Sequence, residues 1–595
     1  MSEGGHHHGG DMGGQRGFSD PGYYTTSTAF LEALAEAGVT YIFANLGSDH
    51  PGLIEALAQA RADGRAAALP KVIVCPHETV AVSAAHTYAM ITGEPQAVVV
   101  HVDAGTQNLS GGVSNAMRGR VPLLVFAGTA PFTQHGELPG SRTEFIHWIQ
   151  DGRDQRGILR NYVKYDNELR TGRNAKQLVH RALQIARSEP AGPVYLVAAR
   201  EVMEEPLDPY AVDPGLYSPV APAALTREVT AEIATALAGA RHPLIVTTYL
   251  GRDPAAVPSL VGLAELLAIP VVEAMAYHVN FPYDNPLHGG FQYHAVSQSE
   301  MLAEADVVLV IDSDVPWIPS VSRPSDGAAI YYVDIDPLKS QMQMWDVPAR
   351  RFAAANSKVA VEQIAAYVRD HGLVNDATVS ERRAAAATRH QRALAEQEAA
   401  EQPKDGVITG EYLTACVRRL IEGEDALILT EVVTHSRTVA EHLRPNRPGS
   451  VLHHGGGALG WSGGAVVGAK LACMERTVVS LVGDGSFLFS VPSSALWVQR
   501  RYNTPALTVI YDNHGWAGPK FSTLHVHPEG AAAAADDFHA SLEPAVDLPA
   551  VALAAGAGFG ATVSEPGELP RVLKDALAVV QAGQSAVVSV RLPGV

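Results

Sequence analysis

An apolar, β-branched run at residues 477–482 ends at Gly483-Asp484-Gly485-Ser486, and a second, at 506–511, ends at Asp512-Asn513. Runs that are apolar at every position, rather than at alternate ones, read as strands buried on both faces, the condition of a parallel sheet. Residues 493–502 lie between them and have room for a crossover helix. The segment is therefore a βαβ unit, with acidic and amide side chains at the carboxyl ends of two parallel strands, where open α/β sheets bind ligands. Oxygen ligands beside a glycine turn suit a magnesium ion that carries phosphate oxygens. Gly-Asp-Gly alone is a common turn; strand, turn, helix, strand and asparagine in that order is a far narrower pattern.

The 595 residues allow several such units. Three α/β blocks separate at 24–202, 223–371 and 406–595, and each alternates strand and helix, so three doubly wound parallel-sheet domains are expected. The first block opens with an amphipathic helix at 27–38 and has strands at 72–74 and 97–100. The second has strands at 243–246, 269–272 and 307–311. A proline-rich stretch at 204–222 reads as a linker, and 372–405 as a helical linker whose Ala/Arg/Glu-rich part, 381–401, is a solvated connector. The first 23 residues, Gly/His-rich with His6-His7-His8, read as a disordered tail. No short-period repeat is visible.

A formal charge of −19 argues against nucleic acid or an anionic membrane as the main partner, and leaves an anionic substrate open. The cysteines, Cys75, Cys416 and Cys473, have no metal spacing and are too few for a disulfide framework, so a reduced, cytoplasmic setting is expected. No window approaches the roughly 18 uninterrupted apolar residues of a membrane span.

Two further segments carry candidate chemistry. Cys75-Pro76-His77-Glu78 follows a strand and precedes a helix with small residues at Ala81, Ala84 and Ala85. Taken alone, Glu78 is either a partner of the helix dipole or a working carboxyl group, and His77 either a cap or a catalytic residue. Gly455, Gly457 and Gly460 satisfy GxGxxG, which admits a nicotinamide oxidoreductase; the strand before them is short and the required acid would be Glu475. Residues 463–468 have P-loop spacing, but Ala469 stands where lysine is needed.

With these residues in view, the chain resembles the thiamine diphosphate-dependent enzymes of the acetolactate synthase, pyruvate oxidase and 2-hydroxyacyl-CoA lyase group. The resemblance covers nearly everything after residue 24, in the order pyrimidine-binding, central and diphosphate-binding domains. It implies that Asp484 and Asn513 give side-chain oxygens to magnesium and Gly515 a backbone carbonyl, while Gly485 and Ser486 approach the diphosphate. Asn513 lies two residues further from Asp484 than the family spacing, which places an insertion in the intervening helix or loop, and Asp512 replaces the usual first asparagine. Glu78 would be the catalytic carboxyl group at N1′ of the aminopyrimidine, favouring the imino tautomer whose 4′ nitrogen deprotonates C2. Leu459 would be the apolar wedge under the cofactor. Thr434 and His435 align with diphosphate contacts, unless that loop only caps the helix after it.

The resemblance also implies a homodimer or homotetramer with sites shared between subunits, and a small 2-oxo acid or 2-hydroxyacyl substrate. Acetolactate synthase-like carboligation is the first expectation; 2-hydroxyacyl-CoA lyase and 2-oxo acid decarboxylase are the alternatives. Asp103 replaces a family glycine near the reacting carbon, and His101, His453, His454 and Trp516 are pocket candidates, Trp516 serving equally well as a packing aromatic. In the central block Asp312 and Asp314 stand where relatives that bind FAD or CoA carry an arginine, which disfavours both ligands.

Overall fold

The computed structural model describes residues 23–293, 295–404 and 406–594. Apart from Tyr23, the expected disordered tail lies outside the described residues. Three six-stranded sheets carry the fold. The first contains β1 (Tyr41–Asn45), β2 (Lys71–Val74), β3 (Gln96–Val100), β4 (Leu123–Thr129), β5 (Tyr165–Leu169) and β6 (Pro193–Ala199), in the order β2-β1-β3-β4-β6-β5. The second contains β7 (Pro243–Thr247), β8 (Val271–Glu273), β9 (His288–Phe291), β10 (Val307–Ile311), β11 (Ala329–Asp334) and β12 (Arg351–Ala354), in the order β12-β11-β10-β7-β8-β9. The third contains β13 (Ala426–Glu431), β14 (Val451–Leu452), β15 (Thr477–Gly483), β16 (Leu507–Asp512), β17 (Phe559–Val563) and β18 (Ala586–Arg591), in the order β14-β13-β15-β16-β18-β17. All pairings within the sheets are parallel.

The sequence runs explain the layering. β3, β7, β10, β13 and β16 are buried at every position, as continuous apolar runs require; the middle sheet is covered by helices on one face and mainly by the loops carrying Trp317 and Val347 on the other. The outer two sheets share one strand order, whereas the middle one has the order of a dinucleotide-binding sheet. The crossover expected as one helix is two, Asp484–Phe489 and Pro492–Tyr502. Val491 takes φ 50° between them, and Pro492 cannot continue a helix from before it but is suited to starting one.

The connector is the Asp376–Ala400 helix, and it is not wholly solvated. Ala386 and His390 are buried, and Arg382 donates to the carbonyls of Leu267 and Ala240. Cationic termini of this kind satisfy carbonyl ends that would otherwise lack donors.

A close helix contact joins the first block to the third. The Glu78–Thr92 helix packs on the Trp461–Ala472 helix, and a Cβ at Gly464 or Gly468 would collide with the carbonyls of Val80 and Ala84. No helix of the described residues is long and apolar enough to cross a membrane.

Candidate active site

Residues from the carboxyl ends of β13, β15 and β16 converge on a cavity of about 310 Å³. Thr434, His435, Leu459, Asp484, Gly485, Ser486, Asn513 and Gly515 all line it, together with His453, His454 and Trp516. The strand order reverses between β13 and β15, so the crevice sits at the switch point of a doubly wound sheet. Its size falls at the lower end of the range for cavities that enclose a cofactor-sized molecule.

Asp484 is buried at the start of its helix, accepting the Gly485 N–H at 2.8 Å and the Gly515 N–H at 3.1 Å. Burial, and then the charge of Asp512, push its carboxyl group up to about 6. The extra charge of Asp512 has its own compensation. Its Oδ2 accepts the Ser589 hydroxyl at 2.8 Å and lies 3.2 Å from Arg591. A divalent cation beside Asp484 would relieve what burial costs that carboxylate. Among the described residues no group of three or more His, Cys, Asp or Glu could hold a metal; what this cavity offers a cation is the Asp484 carboxylate, the Asn513 amide and the backbone at Gly515. That all-oxygen set fits magnesium bound jointly with phosphate oxygens.

Gly485 is required by packing: a Cβ there would enter the Trp516 indole. Trp516 is thus both a wall of the cavity and a packing aromatic, with Phe489 edge-on at 5.8 Å. His453 and His454 accept the N–H groups of Gly455 and Gly456 at Nδ1, at 3.1 and 3.2 Å, which places the ring proton on Nε2. Burial pushes His454 down to about 3 and His453 far below its ordinary value, so both rings are neutral.

The glycine-rich turn owes its shape to a residue that the motif reading passed over. Glu431, at the end of β13, accepts the N–H groups of Gly460 at 2.5 Å, Trp461 at 3.3 Å and Ser462 at 2.8 Å. Those are the first amides of the Trp461–Ala472 helix, the groups that would receive a dinucleotide pyrophosphate. An internal carboxylate occupies them instead. Burial lifts Glu431 to about 7, against the pull of the three amides.

Glu78 does not line this cavity, and neither do His101 or Asp103. Glu78 is buried beyond the carboxyl end of β1, where its two oxygens accept from the amides of Asn45 at 2.8 Å and Asn108 at 3.1 Å. Beside it His101 pairs with Asp49 at 2.5 Å, and this hydrogen bond raises the imidazole above its ordinary value. His77 accepts the Thr79 N–H and caps the helix. Within one chain the sequence-derived site residues therefore fall into two groups, eight at the third sheet and Glu78 at the first.

Comparison with known proteins assigns the blocks that carry both groups to one family. Family models match residues 24–158 as the N-terminal TPP binding domain of a thiamine pyrophosphate enzyme, 230–350 as the central domain and 431–590 as the C-terminal TPP binding domain. The chain belongs to the thiamine pyrophosphate enzyme family. It is 25% identical over 522 residues to the acetolactate synthase large subunit of Parasynechococcus marenigrum, covering 83% of this chain and 76% of that one. It is 26% identical over 499 residues to the benzoylformate decarboxylase of Pseudomonas aeruginosa, covering 82% and 86%. A Rhodococcus jostii thiamine diphosphate-dependent 4-hydroxybenzoylformate decarboxylase has the same fold, with TM-score 0.74 at 21% identity over 96% of this chain and 100% of that one. Both end blocks are TPP-binding domains, so thiamine diphosphate is the cofactor for which they are built.

The middle sheet of this thiamine pyrophosphate enzyme adds the partners of Asp312 and Asp314, which the sequence does not show. Asp312 and Asp314 do not stand as uncompensated charge. Arg120, from the first block, lies 3.2 Å from Asp312, 3.1 Å from Asp314 and 2.9 Å from Asp334. Arg252 holds Asp312 at 2.9 Å, and Lys339 holds Asp314 and Asp334 at 2.7 and 2.8 Å. The sequence shows the carboxylates but not the cations, because these come from distant segments.

Proposed function

We propose that this chain is a thiamine diphosphate- and magnesium-dependent enzyme that breaks the bond between the carboxyl and carbonyl carbons of a 2-oxo acid. The supporting observation is the cavity that gathers Asp484, Asn513 and Gly515 with Leu459, Thr434 and His435 in a TPP-binding domain. When bound, the cofactor supplies an electron sink for a carbon–carbon bond beside a carbonyl. Asp484 and Asn513 hold magnesium through side-chain oxygens and Gly515 through its carbonyl; Gly485 and Ser486 take the diphosphate. Leu459 would give the apolar contact to the cofactor, and Glu78 would hold the proton to be shared with its pyrimidine N1′. Because Glu78 lies outside the cavity of its own chain, it serves the cavity of a second copy. Exposed apolar side chains on both blocks, among them Phe132, Phe145, Trp148 and Ile149 on the first and Phe489, Phe521 and Val526 on the third, support such an interface.

Carboligation, in which the acyl unit passes to a second carbonyl compound as in the acetolactate synthase relatives, is the first reading. Release of an aldehyde, as the names of the decarboxylase relatives describe, is the second. The reading includes neither FAD nor CoA, since each cation around Asp312 and Asp314 already has a carboxylate partner. Titration of thiamine diphosphate with and without magnesium, followed by intrinsic fluorescence, tests the metal assignment. Asp484→Ala and Asn513→Ala should each lose magnesium-dependent binding while keeping the fold. Unchanged affinity in both variants removes it. Product analysis then separates the two readings, a carboligated hydroxy ketone or hydroxy acid against an aldehyde.

A further inference from the structure

The wall of the cofactor cavity is also the wall of another. Met275, Tyr277 and Tyr293 line the 310 Å³ cavity and equally a second one of about 240 Å³, which lies at the carboxyl ends of β7, β8 and β10. Trp317 is one of its buried walls; Val315 and Ile318, 50% and 49% exposed, form its rim. Tyr277 stands between the two spaces, stacked on His453 with ring centroids 4.2 Å apart and planes 14° apart.

The chemistry of this second space is one-sided. Among the described residues no lysine, arginine or histidine lines it, so it offers no cation to a phosphate. Its one carboxylate, Asp314, is held by Arg120 and Lys339 and has no charge to spare for a cationic ligand. Apart from the neutral polar side chains Thr248, Gln292 and Ser322, what remains is aromatic and aliphatic. An apolar cavity of about 150 Å³ holds a benzene ring, so the present volume takes an aryl group with its linking carbon. The methyl group of pyruvate would leave most of it empty, and void-facing atoms forfeit their contacts.

We propose that this cavity receives the aromatic end of a carbonyl substrate whose reacting carbonyl lies in the cofactor cavity. Tyrosine and tryptophan walls favour an aryl group through edge and offset ring contacts beyond simple area burial. The proposal rests on the thiamine reading above and adds the substrate class to it. Ile318 and Val315 are then specificity-determining residues, remote from cofactor and metal.

The test uses 3-phenylpropionate and propionate, which differ by the ring and carry no 2-oxo group to react. Each is titrated calorimetrically into the protein loaded with thiamine diphosphate and magnesium. The phenyl acid should bind at least about tenfold more tightly, the scale that a single methylene sets in an apolar pocket. Ile318→Glu, at an exposed rim position, should abolish the advantage, and Ile318→Leu should keep it. Equal affinities, or an advantage untouched by Ile318→Glu, overturn the proposal. Carbon dioxide release is measured alongside with phenylpyruvate and pyruvate. Turnover of pyruvate with equal binding of the two acids removes the aromatic pocket and leaves the thiamine reading standing. Failure to saturate with thiamine diphosphate removes that reading instead.

Discussion

Among the described residues Glu78 is held by two donors and no cation: its carboxylate accepts from Asn45 and Asn108 at the start of the Glu78–Thr92 helix. Glu78→Gln keeps the shape and loses the exchangeable proton. It should bind cofactor normally and lose about 100-fold or more in exchange of the cofactor C2 proton, the usual worth of a positioned proton-transfer group. Deuterium exchange at C2, read by NMR after acid quench, decides it, and a wild-type rate ends the assignment. The sequence shows Glu78 but not its partners, because Asn45 ends β1 and Asn108 lies in the Val102–Arg118 helix, 33 and 30 residues away. His86 was not visible as special at all. It is fully buried beside Trp461, with ring centroids 6.2 Å apart, and neither nitrogen has a hydrogen-bond partner among the described residues. Burial pushes it down to about 3, whereas the unfolded chain protonates near 6.5. Its contribution to stability is therefore complete above pH 6.5 and is lost as pH falls toward 3. His86→Leu should lose less thermal stability than wild type between pH 7 and pH 5; equal losses in melting scans would show that the ring is not the source.

At the scale of elements, the pairing of the Glu78–Thr92 and Trp461–Ala472 helices does the joining. Ala81, Ala84 and Ala85 are all buried, and Gly464 and Gly468 let the partner backbone approach. Gly468→Ala inserts a methyl group against a carbonyl rather than a movable side chain. The cost should reach the upper part of the roughly 1–3 kcal/mol range for overpacking, seen as a lower melting temperature with the sheets intact by circular dichroism. A neutral effect would mean that the helices separate freely. Gly464 and Gly468 fall in the stretch that fails as a P-loop, and sequence gives them no other use because their partner helix is hundreds of residues away. The strands, by contrast, were legible wherever the apolar run was unbroken, as at β10 and β16. The crossover departs from a single helix because Val491 adopts a left-handed turn that its residue type disfavours.

For the whole molecule, the first and third sheets repeat one strand order, although the chain shows no short-period repeat. Topology outlasts side-chain identity, since a buried parallel strand needs only apolar bulk. The two equivalent switch points carry Glu78 and Asp484 respectively, and one cavity lacks the first of these. Glu78→Gln and Asp484→Ala, each inactive alone, should therefore complement on co-refolding, with activity near one quarter of wild type for random equal pairing in a symmetric dimer. A mixture without recovered activity, or a fully active monomer in sedimentation, would rule out the shared site.

The glycine contact between these helices also has a history within each molecule's synthesis. The surface around Ala81 and Ala84 emerges long before Trp461–Ala472 exists to cover it. At about 5–20 residues per second, the interval between Thr92 and Trp461 is on the order of 20–70 s. Throughout that time the nascent first block presents an uncovered strip of small apolar residues, so early refolding and ribosome-bound chains of this enzyme should be where chaperones engage it.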